Sequence, residues 1–201
     1  MGPTRQQAWE TLTRYTKSEA LLRHALAVEA SVAWYARHFG EDEELWGVAA
    51  LLHDFDYEIH PTLDQHPQDG APILREEGYP EEVVEAVLSH AEHLAIPRDT
   101  PLKRTLFACD ELSGFISAVS LVKPGKSVLE VDAKSVRKKM KDKAFARSVS
   151  RQDIEDGARE LGVNVDEHIE FCIQAMRDRA SDLGLAGPQV GQAVSPVSDG
   201  N

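Results

Sequence analysis

Residues 48–54 read Val48-Ala49-Ala50-Leu51-Leu52-His53-Asp54: five apolar residues, then a histidine beside an aspartate. The run is far short of the roughly 18 residues a membrane span needs, and it reads as the last turns of a buried helix. Upstream, Glu41 to Glu44 place negative charge where the start of that helix favours it. Further back, Ser18 is a candidate N-cap for a helix that runs to about Phe39 and stops at Gly40. Leu21, Ala25, Val28 and Val32 mark its inward stripe. Thr4 to Tyr15 forms an opening helix. Downstream, Phe55 to Gln68 contains two prolines and reads as a loop. A helix over Asp69 to Glu77 is closed by Gly78. Pro80 opens another that ends before Pro97, and Pro101 opens a third through Leu106, Phe107, Leu112 and Phe115. Lys123 to Ser148 is less regular, with a break at Pro124–Gly125. Two more helices fit Arg151 to Leu161 and Asp166 to Leu183. From Gly184 the residues are small or polar and read as a disordered tail. No stretch alternates as a strand would. The expectation is an all-α fold, one helical domain over residues 1–183 and a tail over 184–201.

Composition narrows the function classes. The chain has 201 residues, 42% of them hydrophobic, enough for a real core. Its 22 Lys and Arg stand against 34 Asp and Glu, a formal net charge of −12. A surface so acidic argues against nucleic-acid and anionic-membrane partners. Two cysteines, Cys109 and Cys172, exclude a disulfide-rich scaffold. The first ten residues lack the apolar core of a signal peptide. The chain reads as soluble and cytoplasmic, and an acidic helical bundle is compatible with a homodimer.

A histidine and an aspartate at a buried helix end are costly unless each has a partner. Alone, His53–Asp54 fits either a mutual hydrogen bond or a pair of ligands for a divalent metal. His24 lies in the apolar stretch Ala20 to Ala27, and Asp110 in the apolar stretch Leu106 to Leu112. A buried mid-helix aspartate needs a cation or a strong hydrogen-bond partner. His90 ends the helix through Val83 to Ser89.

The order His24, His53–Asp54, Asp110, spread over about half the chain, resembles the HD-domain superfamily of metal-dependent phosphohydrolases. That resemblance implies an HD-domain helical bundle, here with additional C-terminal helices, whose four ligands converge from different helices. Some members bind one metal; others add two histidines between the His-Asp pair and the last Asp and bind two. His66 and His90 stand where those two would. The resemblance then makes His24, His53, Asp54, His66, His90 and Asp110 the metal ligands, with Asp54 bridging. The cofactor is one or two divalent ions of Mn, Fe, Mg, Ni, Co or Zn, and the substrate a nucleotide or other small phosphate ester.

Other residues have weaker claims. His93, three residues after His90, shares its face if the helix continues, and is a candidate ligand or substrate contact. Asp56 and Glu58 follow the His-Asp pair and are candidates to orient water or to protonate a leaving oxygen, alongside Asp54 in the catalytic set. The segment from Lys123 to Arg151 is basic, and Lys123 and Lys126 are candidates to grip a substrate phosphate. Glu111 is expected to point away from the site. His38 and His168 are expected at the surface, and Cys109 in the core. Two rival readings remain: a mixed-valent di-iron oxygenase using the same ligands, and a nucleotide-binding protein without catalysis.

Overall fold

The two longest helices, α2 (Glu19–Phe39) and α6 (Pro101–Leu121), pack against each other and carry the rest of the chain. Each has 21 residues and so spans about 32 Å. The computed structural model describes residues 2–188; the remainder of the expected tail, 189–201, lies outside the described residues. Among the described residues there are nine α-helices and no strand. The others are α1 (Arg5–Tyr15), α3 (Glu43–Leu52), α4 (Ala71–Glu76), α5 (Glu81–His90), α7 (Ala133–Met140), α8 (Arg151–Leu161) and α9 (Val165–Asp178). The all-α expectation holds. No described helix is long and apolar enough to cross a membrane.

Local chemistry sets the helix ends. Asp42 caps α3 by accepting the Leu45 N–H at 3.0 Å, and Thr100 caps α6 by accepting that of Lys103 at 3.3 Å. Gly40 ends α2 with φ +74°, a left-handed conformation that glycine adopts without a Cβ penalty. Ser18 occupies the N-cap position of α2, but its side chain makes no capping bond there. Glu58 instead accepts the backbone N–H groups of Lys17 and Ser18, at 2.7 and 3.0 Å.

Helix α3 is apolar nearly all round, and every residue from Trp46 to Leu52 is buried among α1, α2 and α5. Helix α8 crosses α6 at Gly157. A Cβ on Gly157 would sit 2.6 Å from the Ala108 Cα, so only glycine permits this approach. Helix α7 lies within the segment read as irregular, and Asp132 caps it in a reciprocal arrangement with Ser135.

Two expectations need correction. Residues 184–188 are not a loose tail: Leu185 is buried, its carbonyl accepts the Val128 N–H at 2.9 Å, and the Ser127 hydroxyl donates to it at 3.0 Å. His168 is not at the surface but wholly buried. Its Nε2–H donates to the Ala108 carbonyl at 2.8 Å, and its Nδ1 accepts from the Tyr35 hydroxyl at 2.8 Å. One imidazole thereby joins α9, α6 and α2. The apolar spacing Ile169, Cys172, Ile173, Met176 could have placed His168 on the inward face.

His168→Ala is expected to leave the Ala108 carbonyl and the Tyr35 hydroxyl buried without partners beside a cavity. The cost is on the order of 3 kcal/mol, against about 1 kcal/mol for Tyr35→Phe. Thermal unfolding of the two variants beside the parent measures this, and an unchanged midpoint for His168→Ala would contradict the role.

Candidate metal centre

Six side chains from five segments converge at one end of the α2–α6 pair. His24 comes from α2 and Asp110 from α6. His53 is the C-cap of α3, and Asp54 follows where the chain leaves the helix. His66 comes from the loop before α4, and His90 is the last residue of α5. Phe55, buried directly after the pair, anchors this turn: its ring meets Tyr15 edge-on at 5.5 Å, and its carbonyl accepts the Thr16 hydroxyl at 2.8 Å.

The two oxygens of Asp54 face different partners. Oδ2 lies 3.4 Å from His53 Nε2 and 3.7 Å from His24 Nε2. Oδ1 lies 3.1 Å from His66 Nε2 and 3.4 Å from His90 Nε2. Asp110 Oδ1 completes the first set, 2.9 Å from His24 Nε2 and 3.4 Å from His53 Nε2. The far nitrogens of three histidines are already committed. His53 Nδ1–H donates to the Ala50 carbonyl at 2.7 Å and His90 Nδ1–H to that of Val87 at 2.5 Å. His66 Nδ1–H donates to Asp56 Oδ1 at 2.8 Å. With Nδ1–H committed, each ring turns Nε2 to the centre, and loss of the Nε2 proton leaves the tautomer that metal-binding histidines adopt. The Nε2 atoms of His24 and His53 stand 3.2 Å apart, an approach that a shared cation resolves.

The donor set fits divalent ions on chemical grounds: imidazole nitrogens and carboxylate oxygens suit Mn, Fe, Co, Ni or Zn. Two groups, His24–His53–Asp54 and Asp54–His66–His90, each have ligand atoms close enough to share an ion. The electrostatics agree. Burial would lower the His53 pKa, but the charges of Asp54 and Asp110 outweigh it and raise the pKa well above the usual value. The same contest raises His66 to about 9, with Asp54 and Asp56 as the winning partners. Burial would raise both carboxylates, yet His53 and its neighbours hold Asp54 and Asp110 well below the ordinary range. The centre as folded draws in positive charge.

The other candidates fall into two groups. His93 lies on the wall of the cavity over the centre, which is about 540 Å³. It does not share a face with His90, because Ala91 is extended and His93 sits in a separate 3₁₀ turn, Glu92–Leu94. Asp56 is wholly buried behind His66 and accepts from its Nδ1 and, at 3.2 Å, from His60 Nδ1. It orients the His66 ring from behind and does not line the cavity. Glu58 is exposed, engaged with the start of α2, and does not line the cavity either.

Lys123 and Lys126 are not among the residues lining the cavity. Helix α6 continues to Leu121, so Lys123 stands about 20 Å along the chain axis from Asp110. Arg151 is also spent elsewhere. Its guanidinium stacks on Phe115 at 4.6 Å and donates to the carbonyls of Asp142, Phe145, Ala146 and Val149. It shapes the loop whose Ser148 and Val149 line the cavity.

Glu111 is the residue the sequence reading set aside. Its side chain lines the cavity and accepts the Ser150 N–H at 3.1 Å. Burial, then the charge of Asp110, raises its pKa to about 7. The apolar flanks of Asp110 gave no sign of this; a carboxylate next to a ligand on the same helix was the available cue. The cavity wall also carries Glu92 and Asp153, and no lysine or arginine lines it.

Residues 21–114 match the family model described as HD domain. No curated protein and no solved structure matches the chain.

Asp56→Asn tests the supporting shell. It keeps the volume but weakens the hold on His66 Nδ1–H, and metal affinity should fall about 10- to 100-fold. Titration followed by calorimetry measures this; unchanged affinity would sink the positioning role. Because His66 holds a proton up to about pH 9 in the metal-free protein, metal uptake must expel it. Affinity should therefore rise with pH up to about 9 and level off above it.

Proposed function

We propose, from the match of residues 21–114 to the HD-domain model and the ligand cluster they carry, that this chain is a metal-dependent phosphohydrolase acting on a small phosphate ester through a two-ion centre. The observation that carries the reading is the division of Asp54 between two histidine sets, Oδ2 toward His24 and His53 and Oδ1 toward His66 and His90. His24, His53, Asp110 and Asp54 would hold one ion, and Asp54, His66 and His90 a second.

Bound there, divalent ions supply Lewis acidity toward a phosphoryl oxygen and lower the pKa of water from about 15.7 toward neutrality. The protein supplies the rest. Glu111, on the cavity wall beside Asp110 and held by the Ser150 N–H, is placed to pass a proton to a leaving oxygen. His93, exposed at the rim, contacts the substrate as it enters. Leu21, Phe107 and Val149 supply apolar wall. A nucleoside polyphosphate brings several charges, and here it would face Glu92, Glu111 and Asp153 with no Lys or Arg on the wall. The cavity suits a monoester whose one charged group meets the ions.

A second reading, oxygen-dependent chemistry at a di-iron pair, draws on the same six ligands and is favoured only by their number. Metal analysis on protein purified without oxygen comes first. The parent should carry two ions per chain, and His66→Ala and His90→Ala should lose one. Asp54→Ala should lose both ions and all turnover of small phosphate monoesters; full turnover there would reject the site. Glu111→Gln should keep both ions and the Ser150 contact but lower kcat on the order of 100-fold. Oxygen uptake with a half-reduced di-iron resonance, and no phosphate release, would replace hydrolysis by the second reading.

A further inference from the structure

A second groove of about 480 Å³ adjoins the metal cavity, and the two share His24, Gly114 and Ser148 as common wall. Their characters differ. The metal cavity is edged by carboxylates, whereas the groove is walled by Ala20, Ala118, Leu121, Leu183 and Leu185. Among the described residues it carries no carboxylate, its other polar lining is Ser117, and its one cation besides the shared histidine is Arg23, which pairs with Glu19 at 3.2 Å. Gly114 sits where the two spaces meet. A Cβ there would already lie 3.5 Å from the His24 ring, so a longer side chain would stand between them.

We propose that this groove binds the non-reacting arm of the substrate, an uncharged aliphatic chain that leaves the phosphate at the metal centre and passes over Gly114 toward Leu121 and Leu185. The proposal rests on the phosphate-ester reading of the same centre and adds the class of alcohol esterified. Continuity with the centre identifies the occupant, because anything held at His24 has this groove as its neighbour. Wall chemistry sets its nature. A charged or strongly polar arm would lose hydration against two alanines and three leucines, with Ser117, Ser148 and the Glu19-paired Arg23 as partners at the margins, whereas each buried methylene contributes to binding. The volume lies in the range of small-molecule sites.

Methyl-, butyl- and octylphosphonate, none of them hydrolysable at a P–O ester, are the probes, with binding to the manganese-loaded protein read by calorimetry. Affinity should climb about fourfold per methylene, the equivalent of roughly 0.8 kcal/mol, until the groove is filled. Ala118→Trp should fill the groove from the α6 side. It should abolish the dependence on chain length and leave methylphosphonate binding unchanged. Ala20→Trp, at an exposed position on the α2 wall, should do the same if the first variant does not fold. Methylphosphonate binding with no gain for the longer chains would overturn the groove and leave the phosphate reading standing. Octylphosphonate binding without methylphosphonate would support the groove and count against that reading. Binding of none would overturn both, and chain-length dependence that survives both tryptophans would place the arm elsewhere.

Discussion

The architecture turns on one carboxylate. Asp54 presents its oxygens to opposite sides, and each oxygen is met by imidazoles delivered from separate helices. Those groups are not close in sequence, so the fold must bring α2, α3, α5, α6 and the loop before α4 to a common end. Their mutual distances run from hydrogen-bond length at His24–Asp110, 2.9 Å, to 3.7 Å at His24–Asp54, with Asp54 common to both sets of rings. Buried imidazoles and carboxylates are expensive to desolvate. They are tolerated because imidazoles and carboxylates neutralise one another here.

Behind this centre the backbone does much of the orienting. Two of the histidines spend Nδ1–H on carbonyls three residues earlier, Ala50 and Val87, so the helices that carry the rings also fix their tautomers. His66 lies on a loop and has no such carbonyl; Asp56 takes that part. Gly70 packs against Asp56 so closely that a Cβ would approach its Oδ2 to 2.5 Å. His168 works at longer range. By joining Ala108 to Tyr35 it sets the register of α6 against α2, and with it the spacing of Asp110 from His24.

The helices and the convergent ligands were legible in the sequence because both leave local marks. Capping residues, glycine stops and apolar periodicity outline α2, α3, α6 and α8. A histidine or aspartate inside an apolar run announces a buried partner, which is how His24, His53–Asp54 and Asp110 stand out. What was not legible depends on direction. Asp56 and Glu58 both follow the pair closely, yet one turns inward to His66 and the other outward to the start of α2. Charge along the chain marks the stretch after Lys123 as a phosphate grip, but α6 carries Lys123 about 20 Å beyond Asp110, and Ser148 and Val149, not the cations, line the cavity. Adjacent residues on a helix diverge by roughly 100°, which turns Glu111 away from Asp110, but the cavity is wide enough to include both. His168 has polar neighbours that point to the surface, whereas its spacing to Ile169 and Cys172 puts it inside.

The Arg151 guanidinium holds the loop over the cavity through main-chain carbonyls at positions 142, 145, 146 and 149. Every residue type offers the same carbonyl, so these bonds make no demand on the side chain of Ser148. Ser148 and Val149 both face the cavity, and Val149 also packs against the core. At Ser148 form and content are thereby uncoupled. Exchanging that residue would alter what the enclosure admits without altering its outline. A scaffold arranged in this way can acquire a new preference one residue at a time, with the ligand set and the helices that deliver it left as they are.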